Sequence, residues 1–173
     1  GNTAWLLNAL EWIKTNHAAY NIKVINLSLG GPAIDSYTND PVCIKVQQLN
    51  ALGIVVVAAA GNLGRNILGQ KEYGHIHSPG NDPSAITVGA VNTLGTDARG
   101  DDSITSFSSR GPTRSYYTTG LLGLNRVYDN AIKPDLVAPG NKLVAAAAPN
   151  NRIYLGNLSL STSTLLSTDS TDS

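Results

Sequence analysis

A strand-like segment, a helix-like segment and a second strand-like segment follow one another within residues 23–60, and that order constrains the fold more than any other feature of the chain. Lys23–Leu29 (KVINLSL) is short, rich in β-branched residues and broken by Gly30-Gly31-Pro32. Val42–Leu52 reads as a helix, with Pro41 suited to its first position, where a missing N–H costs nothing. Gly53–Asn62 then reads GIVVVAAAGN, an apolar run from Ile54 to Ala60 that stops at Gly61-Asn62, with Ile54–Ala58 as the second strand. Strands joined through a helix run parallel and are buried on both faces, and the crossover is expected to be right-handed. The expected fold class is α/β, a parallel sheet with helices on both faces.

In open α/β sheets, ligands gather at the carboxyl ends of the strands. Asn62 lies just past such an end, and Gly61 permits a tight turn that lets the side chain point into the crevice. An amide offers two donors from a rigid mount, which suits stabilising negative charge on oxygen. On this stretch alone, an ordinary strand-ending Gly-Asn turn is the better reading.

The rest of the chain extends this plan. Thr3–Ala19 is a helix candidate through Leu6, Leu7, Leu10, Ile13 and His17, with Thr3 as its cap. Leu63–Ser84 reads as a long surface loop, Ala85–Val91 as a strand, and Thr105–Thr113 as a turn-rich connection. Leu136–Pro139 and Lys142–Ala148 are short apolar pieces, and from Leu158 the chain becomes a Ser/Thr-rich tail. The expected organisation is one domain over 1–157 and a tail over 158–173.

Totals exclude more than they assign. With 42% hydrophobic and 14% charged residues, there is material for a core and too little charge for a disordered chain. Twelve Lys and Arg balance twelve Asp and Glu, so no long-range field recommends nucleic acid or a membrane as partner. Cys43 is the single cysteine, so no internal disulfide forms. No apolar stretch approaches the ~18 residues of a membrane span, and the first residues carry no basic, signal-like region. His75 and His77 lie close to Ser78 and could activate it as an improvised nucleophile, but a polar loop is the better reading. Those histidines lack further partners for zinc, and Asp97, Asp101 and Asp102 read as a solvated acidic turn, so no metal is expected.

Five stretches then appear in a telling order: SLGG (Ser28–Gly31), AAAGN (Ala58–Asn62), HSPGNDPSAITVGAVN (His77–Asn92), SFSSRGP (Ser106–Pro112) and KPDLVAPG (Lys133–Gly140). Together they resemble the subtilases, the subtilisin-like serine proteases. The resemblance implies a partial subtilisin-like core and a peptide substrate. It makes Asn62 the side-chain donor of the oxyanion hole. It makes Ser28, Leu29 and Gly30 one wall of the primary specificity pocket, Ala59, Ala60 and Gly61 the other, and places His77 near the floor. It implies that Ser28–Gly30 pairs with the bound peptide as an added strand. Calcium and secretion follow only from the habits of the family; no other cofactor is implied.

The family's triad motifs, D-[ST]-G, H-G-T and G-T-S-M, do not occur in these 173 residues. The expectation is therefore a segment of a subtilisin-like serine endopeptidase that keeps the oxyanion donor and pocket walls but not the catalytic Asp, His and Ser. The alternatives are a catalytically inactive, oligomerising or binding module, and a small esterase-like hydrolase built around Asn62. A core of this extent should also leave an edge and an apolar face open, which favours a homo-oligomer.

Overall fold

The computed structural model describes residues 2–141 and 143. Its elements, in chain order, are α1 (Thr3–Asn16), β1 (Val24–Leu27), β2 (Gly31–Pro32), α2 (Pro41–Ala51), β3 (Val55–Ala59), β4 (His77–Ser78), β5 (Ile86–Asn92), β6 (Ser103–Ile104), β7 (Tyr116–Thr119), β8 (Asn125–Tyr128) and β9 (Leu136–Pro139). The Lys142–Ala148 piece, except Leu143, and the tail from Leu158 lie outside the described residues.

Both helix starts are set by side-chain caps. Asn2, not Thr3, caps α1: its Oδ1 accepts from the Ala4 N–H at 2.8 Å, and Thr3 is already helical. The helix ends at Asn16 rather than Ala19, because the chain turns back through Asn21 at φ 50° and the Ile22 N–H donates to the His17 carbonyl at 2.8 Å. Asp40 caps α2, accepting from the N–H groups of Val42 and Cys43 at 2.8 and 3.4 Å, with Pro41 in the first turn. Such a cap contributes about 1 kcal/mol.

β1, β3, β5 and β9 form a parallel sheet, with β6 antiparallel to the end of β5. The register places Ile25 beside Val56 and Leu27 beside Ala58. These side chains are buried with Leu10 of α1 and Val42, Val46 and Leu49 of α2, so one sheet face and both described helices share a single core. The alternate residues point the other way. On that face Val24 is 60% exposed, Leu136 48% and Val55 40%. The sheet is thus parallel α/β as expected, and both described helices lie on one side of it.

Two polar ties hold the outer strands. Lys133 is buried and donates to the Ala85 carbonyl at 2.8 Å and to Asp135 Oδ2 at 2.6 Å. The same carboxylate oxygen accepts from the Thr87 N–H at 2.7 Å, which fixes the start of β9 against β5. Burial works to raise the Asp135 pKa, but the Lys133 and Thr87 hydrogen bonds outweigh it and hold the carboxyl below its usual value. The reading of Leu63–Ser84 as a surface loop needs correction at its end. Ser78–Asp82 are buried, and β4 pairs antiparallel with β2. Among the described residues, no helix is long and apolar enough to cross a membrane.

Candidate oxyanion and substrate-binding site

β1 and β3 are neighbours in parallel register, so their carboxyl ends, Ser28–Gly31 and Ala60–Asn62, emerge side by side. The β2–β4 pair brings in the third element. Gly31 lies opposite Ser78 and Pro32 opposite His77. The His77 N–H donates to the Ala60 carbonyl at 2.9 Å. Two strand ends and a short antiparallel ladder therefore converge on one slot, with His77 bonded to Ala60 on one side and opposite Pro32 on the other.

Glycine is required twice here. A Cβ at Gly30 would stand 2.8 Å from the Ser78 carbonyl oxygen and 3.0 Å from His77 Cβ. Gly61 has φ +107°, and a Cβ there would stand 2.8 Å from His77 Cγ and 2.9 Å from Ser109 Oγ. Both distances are well inside van der Waals contact, so the imidazole lies directly between the two glycines. Burial, and then the charge of His75, lower the His77 pKa, which favours the neutral ring. Its Nε2 is buried and has no hydrogen-bond partner among the described residues.

Asn62 is exposed, and its amide has no partner among the described residues. Its flanking peptides are fixed instead. The Ser109 N–H donates to the Gly61 carbonyl at 2.9 Å, and Ser109 Oγ accepts from the Leu63 N–H at 3.0 Å. Gly64 N–H follows, donating to the Phe107 carbonyl at 2.9 Å, and the Arg110 guanidinium donates to the carbonyls of Gly64, Thr105 and Ser106. The SFSSRGP segment is thus the brace of the Asn62 turn. Sequence reasoning placed Ser109 in a turn and missed this role; two serines before an arginine gave no hint of which backbone they would hold.

The other predicted positions fall as follows. Ser28 and Leu29 are exposed beside the slot, and Ser28 Oγ accepts from Asn26 Nδ2 at 3.0 Å. Ala59 is half-buried. Ala60 is fully buried, so it can present only backbone, and its carbonyl is taken by His77. A groove of about 610 Å³ opens next to Leu29 and Gly30, lined also by Leu6, Ile34, Val42 and Asp35. It does not reach Asn62.

The improvised His–Ser pair does not form among the described residues. Ser78 is buried with its hydroxyl 3.7 Å from Cys43 Sγ, and His75 Nε2 turns to Glu72 at 3.0 Å. Burial raises the Cys43 thiol pKa, so it is no ready nucleophile either. The acidic turn does not assemble a cation site: Asp101 accepts from Thr96, Asp102 pairs with Arg99 at 3.7 Å, and no group of three or more potential ligands gathers among the described residues.

A parallel sheet whose adjacent carboxyl ends carry a glycine-walled slot and a braced amide defines a subtilisin-like α/β core. A sequence model of the subtilase family matches residues 1–173, and the chain belongs to that family. It is 34% identical over 158 residues to the serine protease AprX of Bacillus subtilis, covering 88% of this chain and 31% of that protein. It is 38% identical over 121 residues to a subtilisin of Bacillus pumilus, covering 70% of this chain and 37% of that protein. Among solved structures, a psychrophilic protease superposes with a TM-score of 0.54 at 28% identity, over 79% of this chain and 38% of that one. Sphericase does so with a TM-score of 0.57 at 25% identity, over 82% and 40%. The chain thus spans roughly a third of the length of the relatives AprX and subtilisin.

Proposed function

We propose that this chain supplies the oxyanion donor and the primary specificity slot of a subtilisin-like serine endopeptidase, whose nucleophile, base and orienting carboxylate belong to segments outside these residues. The observation that carries this reading is Asn62: exposed, unpartnered among the described residues, and mounted on a turn braced on both sides. A donor of that kind acts on charge that develops on the carbonyl oxygen as a tetrahedral intermediate forms, and its fixed mount spares reorganisation at that moment. In the same reading, Ser28–Gly30 pairs with the substrate backbone, and the residue preceding the scissile bond enters between Gly30 and Gly61. His77 already occupies the depth of that slot, which favours small side chains there over aromatic ones. Secretion is proposed on the habit of the family alone.

The test lies in the coding sequence on both sides of this chain. Codons for D-[ST]-G and H-G-T upstream and for G-T-S-M downstream support the proposal. A complete open reading frame without them rejects it.

A second reading, an oligomerising module without catalysis, draws on the open sheet face of Val24, Val55 and Leu136. It predicts self-association in place of turnover.

A further inference from the structure

We propose that the β7–β8 hairpin is a reversible anchor for an anionic lipid surface, with its leucine tip entering the boundary between headgroups and acyl chains. The hairpin lies in residues 114–132, apart from the slot and its brace. At its tip Leu121 and Leu122 are each 86% exposed and Leu124 is 78% exposed. Nothing in the described fold covers them. Leu122 also sits at φ 62°, a backbone region that favours glycine, and glycines flank it at Gly120 and Gly123. Neither packing nor backbone geometry asks for leucine at that point, so an apolar environment outside the chain is what gives it a use.

The hairpin carries the kinds of group that a lipid interface accepts. Below the leucines, Thr119 faces Asn125, Thr118 faces Arg126 and Tyr117 faces Val127. Below these, Tyr116 and Tyr128 are paired with ring centroids 5.6 Å apart. Arg126 lies over the Tyr116 ring at 4.5 Å and Arg114 over the Tyr128 ring at 5.5 Å. The apolar tip suits acyl chains, the tyrosines suit the headgroup level, and Arg126 and Arg114, on either side of the tyrosine pair along the hairpin, suit anionic phosphates. From Tyr116 to Tyr128 there is no acidic residue. The nearest carboxylates, Asp35 and Asp129, sit at the base. Asp129 is engaged, accepting from the hydroxyls of Ser36 and Ser115 at 2.6 Å each and from the Tyr37 N–H at 3.1 Å. Those bonds tie the hairpin base to the loop before α2, so the tip is presented from a fixed mount. A narrow projecting tip offers a protein partner little shape to complement, whereas a bilayer requires only depth and polarity. The zero net charge of the chain gives no sign of this, because the basic groups are local.

The test is co-sedimentation of the full chain with phosphatidylcholine vesicles, with and without phosphatidylglycerol. The chain is expected to pellet with the anionic vesicles and less with the neutral ones. Leu121→Ser/Leu122→Ser/Leu124→Ser should lower the bound fraction at least ~5-fold, since it removes most of the apolar area available for transfer. Far-UV circular dichroism should not change, because these side chains pack on nothing. Leu122→Gly should bind less yet melt no lower. The proposal is overturned if the parent chain ignores anionic vesicles, or if the triple serine variant binds them equally. It is also overturned if the variant instead abolishes a lipid-independent self-association, which would make the tip a protein contact.

Discussion

Ser109 brackets Asn62: its N–H holds the carbonyl of the preceding residue at 2.9 Å, and its hydroxyl oxygen accepts from the N–H of the following residue at 3.0 Å. The amide proposed to meet the oxyanion is therefore positioned by a serine distant in sequence and fully buried. Ser109→Ala keeps the first bond and loses the second. The expected cost is about 1 kcal/mol of stability, read as a lower denaturant midpoint with an unchanged slope. In a protease assembly carrying the nucleophile, turnover should fall while KM stays nearly constant, because the brace acts through Asn62 and not on bound substrate. Equal losses in both parameters would show a general structural effect.

The contact between Gly61 and His77 makes a separable prediction. Gly61→Ala meets two costs, a backbone at φ +107° and a methyl 2.8 Å from His77 Cγ. It should destabilise the chain by at least about 1 kcal/mol. His77→Gly removes the clash with the ring but leaves the backbone cost and the 2.9 Å approach to Ser109 Oγ. The double variant should therefore recover part of the loss, and a thermal double-mutant cycle should give a favourable coupling of roughly 0.5–3 kcal/mol. Strict additivity would mean that the ring does not fill the slot.

Acid should weaken the fold in two steps. The His77 pKa is lowered by burial and then by the charge of His75, so the unfolded chain takes up that proton first. The stability this supplies is present above the unfolded value near 6.5 and is lost as pH falls through it toward the lower folded value. Asp135 is also lowered on balance, Lys133 and Thr87 outweighing burial. Its contribution is present above the unfolded value near 3.9 and disappears as pH falls below it. Urea midpoints measured against pH should show His77→Gln flattening the upper step and Asp135→Asn the lower. A parent curve flat between about pH 7 and 5 would contradict the first assignment.

The open sheet face predicts behaviour in solution. Val24, Val55 and Leu136 are 40–60% exposed on one side of the sheet. The isolated chain is expected to self-associate, two-fold pairing being the commonest closed arrangement. Light scattering across a dilution series decides this, and a monomer with a cooperative melt would oppose it.

The buried strands and the glycine-bearing strand ends are readable in the sequence because both rest on local pattern. β-Branched runs stop at glycine in KVINLSLGG and IVVVAAAGN, and the register brings the two carboxyl ends out side by side. What it hid depends on long-range contact. The capping role of Asn2 was masked by Thr3, which is itself a common, though weaker, cap. The burial of Ser78–Asp82 was masked by a polar, turn-like composition, since Asn81 and Asp82 are satisfied by Cys43, Ser115 and Gln47 from elsewhere and by the neighbouring Ser84. The bracing role of Ser109 has no local signature.

The role of Asn62 is tested most directly by Asn62→Ala in a protease assembly containing this chain and the catalytic serine, measured as kcat and KM on a peptide ester or amide. Removing an oxyanion donor should lower kcat by roughly 10²–10³-fold, a magnitude carried over from a subtilisin, and leave KM within a few-fold, because the amide meets charge only in the transition state. An unchanged kcat would contradict the account and place oxyanion stabilisation elsewhere.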